Sequence, residues 1–157
     1  MTIRRALPGD AAELVRLRGI MLSTLSPRDW NEDWREPAGR SLARRLSTAE
    51  PDHADLAAFV AERPDGSGLA SCAVGVIEER LGNPHNADGR VGYIFNVCTE
   101  PDMRRRGYSR SCMTALLQWF RDRDVRAADL RASPHGEPLY TSLGFVRTSD
   151  PTMRLRP

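Results

Sequence analysis

The sequence predicts one mixed α/β domain, and three observations carry that prediction. Apolar, β-branched runs alternate with helical apolar spacings along the whole chain. No internal repeat and no interdomain linker interrupts them. A chain of 157 residues, 40% hydrophobic and 28% charged, can build one well-buried core.

Residues 3–6 read as a short first strand. Pro8-Gly9-Asp10 follows, with Asp10 as N-cap and Glu13 three residues on, the capping-box spacing. Leu14, Leu17, Met21 and Leu25 recur at helical intervals, and Ser26-Pro27 ends that helix. Trp30 and Trp34 stand four apart among Asp29, Glu32 and Asp33; Leu42 and Leu46 then predict a second helix over 40–47. Residues 56–62 and 69–80 read as strands joined by the turn Arg63-Pro64-Asp65-Gly66, giving a hairpin. Residues 81–89 form a polar loop. Residues 90–99, RVGYIFNVCT, are the most apolar run and predict a central strand. An arginine-rich loop leads into a helix carrying Met113, Leu116, Leu117 and Phe120. Residues 125–132 predict another strand, and Ser133-Pro134 opens a short helix ending before Gly144. Residues 145–147 and 153–155 predict a closing strand pair.

Composition narrows the function. A net charge of +2 is too small for a dedicated nucleic-acid binder, so no nucleic-acid partner is expected. All 23 basic side chains are arginine, so no lysine can form a Schiff base or act as nucleophile. Cys72, Cys98 and Cys112 are odd in number and far apart, as expected of small buried hydrophobes in a reducing cytosol. Neither they nor His53, His85 and His135 have paired ligand spacing, so no metal site is expected. No signal peptide or membrane span is apparent, which points to a cytoplasmic protein.

The informative stretch is RRRGYSRS, residues 104–111, after the central strand. A buried strand feeding a glycine-containing loop that opens a helix is a phosphate-binding geometry. The first helical N–H groups are unpaired and the helix dipole adds partial positive charge there. Gly107 permits close backbone approach, Ser109 offers a hydroxyl, and four arginines offer charged donors. Neither the Walker loop nor the dinucleotide fingerprint is present.

Pro101-Asp102-Met103-Arg104-Arg105-Arg106-Gly107-Tyr108-Ser109 resembles the pyrophosphate loop of the GNAT superfamily of acyl-CoA-dependent N-acyltransferases, [QR]-x-x-G-x-[GA]. Ser109 replaces the final small residue. Pro138-Leu139-Tyr140-Thr141-Ser142-Leu143-Gly144-Phe145 resembles the family's L-Y-x-x-x-G-F segment. Element order agrees over essentially residues 1–157, read as a single domain of that family. The resemblance implies an α/β (α+β) fold: a mixed, mostly antiparallel sheet flanked by helices, with central strands splayed to form the acyl-CoA cleft.

It also implies a mechanism and a set of roles. An acceptor amine attacks the thioester of acetyl-CoA directly, in a ternary complex and without a metal. The N–H of Val97 faces the thioester oxygen; Cys98 and Thr99 continue along the cofactor, Thr99 pairing with the pantetheine arm. Arg104, Arg105, Arg106, Gly107, Tyr108, Ser109 and Arg110 hold the pyrophosphate. Tyr140 matches the general acid that protonates the departing thiolate. Many relatives carry a glutamate base on the central strand, but residues 90–96 contain no carboxylate. Glu78 and Glu79 are the nearby alternatives, although a solvated strand end explains them equally well. Asn96 can orient a water. His135 stands where relatives often carry a cofactor-contacting Asn, and reads more simply as a surface histidine.

Acceptor selectivity is assigned to residues 29–34, with Trp30, Glu32, Asp33 and Trp34, to the loop 81–89 and to Asn96. Acids beside tryptophans suit a cationic amine, although a core-packed tryptophan with solvated acids explains the segment equally well. The expected partner is a small-molecule amine. Acetylation of a protein amine, which needs an open peptide groove, and acyl-CoA sensing without catalysis are the alternatives. Homodimers are common in the family.

Overall fold

In the computed structural model, residues 1–26, 29, 31–48 and 53–157 are described. Five strands form one sheet in the order β1-β2-β3-β4-β5: β1 (Ile3–Arg5), β2 (Leu56–Glu62), β3 (Leu69–Glu79), β4 (Arg90–Thr99) and β5 (Ala128–Leu130). Neighbours are antiparallel except β4 and β5, which run parallel. Helices α1 (Ala11–Leu25) and α2 (Arg35–Leu46) are followed, after β4, by α3 (Tyr108–Arg121) and α4 (Glu137–Ser142).

Strand alternation sorts the core into two layers. Leu56, Ala58, Val60, Cys72 and Val74 face Leu14 and Leu17 of α1, with Leu42 and Leu46 of α2 alongside. Ala57, Ala61, Ala70 and Ala73 face Met113, Leu116 and Phe120 of α3. These alanines bring α3 close to the sheet. Gly75 and Gly92 bring Phe120 closer still, since a Cβ at either would lie 2.9 Å or 2.8 Å from its ring. Phe120 is fully buried, and its truncation to alanine is expected to cost about 3–5 kcal/mol.

Several boundaries differ from the sequence reading. Asp10 does not cap α1 with its side chain; it accepts the Leu7 N–H at 2.7 Å and the Arg4 guanidinium instead. Glu13 turns to Arg16 and to the N–H of Leu69, so no capping box forms between Asp10 and Glu13. Helix α2 starts at Arg35, because Pro37 falls in its first turn, where a missing N–H costs nothing. The middle of the sheet is β3, buried from Leu69 to Gly75; β4 is interior but covered on its far side only by the three residues of β5. Residues 145–157 form no strand, and Val146, Met153 and Leu155 are exposed. Runs this short order only against a partner edge, as Ile3–Arg5 does on β2, and among the described residues none pairs with them.

Candidate active site

The site starts from an irregularity in β4. Val74 pairs with Asn96 but Gly75 pairs with Ile94, so Phe95 is an extra residue on the β4 side of the ladder. A bulge bends its strand and increases the local twist. Pairing with β5 covers only Gly92, Tyr93 and Ile94 and stops at this bulge, which accounts for a β5 shorter than the predicted 125–132. Beyond it, β4 runs to Thr99 with no strand on that side among the described residues.

The direction of the exposed backbone follows from alternation. The N–H of Glu100 donates to Ala70 O on β3, so Cys98 and Asn96 also turn their backbone groups towards β3. Val97 and Thr99 therefore turn theirs towards the side that β5 has left. The Thr99 carbonyl accepts the Arg104 Nε at 3.3 Å.

The loop after β4 is held from several directions. Pro101–Met103 form a 3-10 turn with Met103 buried, and Arg63 donates to Asp102 through both terminal guanidinium nitrogens, Nη1 and Nη2. Arg16 pairs with Glu100 and with Glu13, locking the strand end to α1. The backbone then takes positive φ at Arg105 (63°) and at Gly107 (83°), the N-cap of α3. The first hydrogen bond of α3 runs from Ser111 N–H to Gly107 O. The N–H groups of residues 105–110 consequently have no acceptor within the described chain. Successive donors of this kind at the start of a 14-residue helix can accept an anion.

Two side-chain links join this loop to the rest of the site. Thr99 Oγ1 shares hydrogen bonds with Ser71 Oγ at 2.7 Å and Ser109 Oγ at 2.5 Å, fastening β3, β4 and α3 together. The Ser109 hydroxyl is thus engaged within the chain, leaving its N–H for an anion. Arg110 Nη2 donates to Ser142 Oγ at 2.7 Å, tying the first turn of α3 to α4. Arg104, Arg105 and Arg106 are exposed, whereas Tyr108 is buried in the core.

Helix α4 carries Tyr140 two residues before Ser142. Its ring lies on Gly136, where a Cβ would come within 2.9 Å of it, and meets Phe145 edge-on at 6.1 Å between centroids. Tyr140 is half-buried, and burial pushes its phenol above the ordinary tyrosine value. Both Tyr140 and Val97 border the core layer on the α3 side.

On the other face of β4, Phe95 and Asn96 line a cavity of about 210 Å³ with Leu14, Arg18, Ser41 and Arg45 among its walls. Asn96 is only 4% exposed; its Oδ1 accepts from Arg18 Nη1 at 3.3 Å and its Nδ2 donates to Cys72 Sγ at 3.5 Å. Burial pushes all three thiols up, Cys98 to about 11 and Cys112 to about 12, so none is a ready nucleophile near neutral pH.

The remaining residues singled out from the sequence lie elsewhere. Glu79 pairs with Arg90, six residues along β3 from Ala73, the partner of Val97. That is about 20 Å at a strand rise of roughly 3.3 Å per residue, too far for a base working at Val97. Glu78 is held by Arg80 at 2.6 Å. His135 is exposed. Glu32 pairs with Arg35, whose guanidinium lies 5.0 Å from the Trp34 ring centroid. The cation expected at that segment is therefore the chain's own, and neither Glu32, Asp33 nor Trp34 lines the Asn96 cavity. Trp30 lies outside the described residues. Sequence reasoning missed the Phe95 bulge and Arg18. Arg18 had left a signal: it stands four residues after Leu14 and three before Met21, a charge on the apolar stripe of α1.

Among the described residues no helix is long and apolar enough to cross a membrane, and no group of three or more His, Cys, Asp or Glu could hold a metal. No curated protein matches the sequence. A predicted acetyltransferase from Clostridium acetobutylicum, solved with acetyl-CoA, has a similar structure: TM-score 0.83, 25% identity, covering 99% of this chain and 95% of that one. A GCN5-related N-acetyltransferase from Ralstonia eutropha JMP134 superimposes with TM-score 0.82 at 23% identity, covering 98% and 97%. Glucosamine-6-phosphate N-acetyltransferase from Arabidopsis thaliana shares the fold at TM-score 0.74 and 17% identity, covering 98% and 97%. The acetyltransferase (GNAT) family matches residues 21–145, most of the 157. The chain belongs to this family and is an acyl-CoA-dependent N-acyltransferase.

Proposed function

We propose that the protein moves an acetyl group from acetyl-CoA to the primary amine of a small molecule by direct attack in a ternary complex. The observation that carries this reading is the continuity between the unpartnered edge of β4 after Phe95 and the six free N–H donors of residues 105–110. An extended thioester arm and a pyrophosphate match such a surface: an open strand edge, then an anion cradle.

The bound cofactor supplies an activated acetyl thioester. The N–H of Val97 donates to the thioester oxygen as negative charge builds on it, worth about 2.7–4 kcal/mol for a preorganised donor away from water. The backbone of Thr99 pairs with the pantetheine amide, and residues 105–110 bind the pyrophosphate. Tyr140 donates its proton to the sulfur as the C–S bond breaks and the C–N bond forms; its raised pKa keeps that proton available. The amine attacks neutral and loses its proton to water, a route supported by the lack of Asp or Glu among the described residues that line the Asn96 cavity. The high thiol pKa values argue against an acetyl-cysteine intermediate.

Initial-velocity kinetics test this order of events. Intersecting double-reciprocal lines are expected; parallel lines, the sign of a covalent acetyl-enzyme, would contradict direct attack.

A further inference from the structure

We infer that the cavity beside Asn96 binds an anionic group of the acceptor, so that the preferred substrate is a short amine carrying a carboxylate or phosphate. The inference rests on the reading of the protein as an amine acetyltransferase and names the class of amine. Arg18 projects from α1 into the cavity, and its one hydrogen bond among the described residues goes to the neutral Asn96 side chain at 3.3 Å. Among the described residues it has no carboxylate partner. The Asn96 amide uses its oxygen on Arg18 and its nitrogen on Cys72, which aims and buttresses the guanidinium without neutralising it.

Arg45 adds a second guanidinium to the same wall; its one ion pair among the described residues is a long, exposed contact to Asp55 at 3.5 Å. Ser41 adds a hydroxyl. No Asp or Glu lines the cavity among the described residues, and the other walls, such as Leu14 and Val74, are apolar. A half-buried guanidinium without a counter-ion beside a second cation is unfavourable to leave empty and favourable to pair with a carboxylate or phosphate. The same charges repel a diamine. Asn96 immediately precedes Val97 on β4, so an anion held at Arg18 leaves the far end of a short ligand beside the bulge. The cavity volume, about 210 Å³, suits a small molecule rather than a chain.

The test compares β-alanine, its neutral amide, O-phosphoethanolamine and 1,3-diaminopropane as acceptors with acetyl-CoA, and measures their binding to the CoA-loaded protein by calorimetry. One or both anionic amines should show a KM at least about tenfold below the neutral amide and the diamine, the equivalent of one charge-assisted hydrogen bond. The better of the two identifies the source as carboxylate or phosphate. Arg18→Gln should remove that advantage, leaving the neutral amide and the acetyl-CoA KM unchanged, and Arg18→Lys should restore part of it. Turnover without preference for an anionic amine overturns the inference but not the acetyltransferase reading. So does a preference that survives Arg18→Gln. Binding of an anionic amine that is lost in Arg18→Gln, without turnover of any amine, supports the cavity assignment and sinks the transfer reading. Absence of both binding and turnover overturns both. If Arg18→Gln fails to fold by circular dichroism, the wild-type ranking and Arg45→Gln decide.

Discussion

The hydroxyl of Thr99 on β4 is hydrogen-bonded to the hydroxyl of Ser109 in the first turn of α3, 2.5 Å between oxygens. With Ser71 it fastens the open strand edge to the first turn of α3. Thr99→Val removes both bonds with little change of shape. It should raise the acetyl-CoA Kd about fivefold, the equivalent of roughly 1 kcal/mol for the lost bonds, while kcat changes less. Isothermal calorimetry reads this directly, and an unchanged Kd would mean that the clasp does not position the cradle.

Gly107 needs its left-handed φ of 83° but no empty space, since a Cβ there meets nothing within 4 Å. Gly107→Val should therefore destabilise the loop by about 1–2 kcal/mol through the backbone alone. Gly107→Asn should cost less, because Asn tolerates that region. Acetyl-CoA affinity should follow the order Gly, Asn, Val; equal affinities would show that the N–H cradle does not depend on this turn.

Tyr140→Phe should lower kcat by about 10²-fold or more, the usual scale for a general acid, with acetyl-CoA binding nearly unchanged. Because burial raises the Tyr140 pKa above its ordinary value of 10.0, the phenol stays protonated through neutral pH. Loss of the acid can then depress kcat only above about pH 10. Below that, kcat/KM should rise with pH as the acceptor amine deprotonates. A wild-type rate falling between pH 7 and pH 9 would remove Tyr140 from the acid role.

Acid stability has a specific contributor in Asp10. Its pKa is lowered, chiefly by the hydrogen bond from Arg4, so its folded value lies below the ordinary 3.8. The stabilisation is fully present above the unfolded value and is lost as pH falls through the folded one. Asp10→Asn should reduce stability by about 0.5–1 kcal/mol at neutral pH, given the partial exposure of Arg4, and by nothing at low pH. Thermal melts across acid pH check the convergence.

The order of elements was legible because each long element carries its own period: Leu14, Leu17 and Met21 for α1, and Met113, Leu116 and Phe120 for α3. The strand-loop-helix setting of residues 104–111 was legible because a glycine after a buried strand and before a helical period marks such a turn. The Phe95 bulge was not legible, since an extra residue in a ladder is visible only against its partner strand. Glu79 was misjudged for the same reason: its distance from Val97 depends on register, not on composition. The pairing of Arg35 with Glu32 and Trp34 was not legible, because it appears only once the turn is folded. The closing strands failed because short apolar runs do not reveal whether β5 offers them a long enough edge.

The most direct test is to mix the protein with acetyl-CoA and the amine panel, measuring free thiol and acceptor mass together. The account predicts thiol release matched one-to-one by an acceptor heavier by one acetyl group, and dependent on the amine. Saturable acetyl-CoA binding with no thiol release for any amine would contradict it.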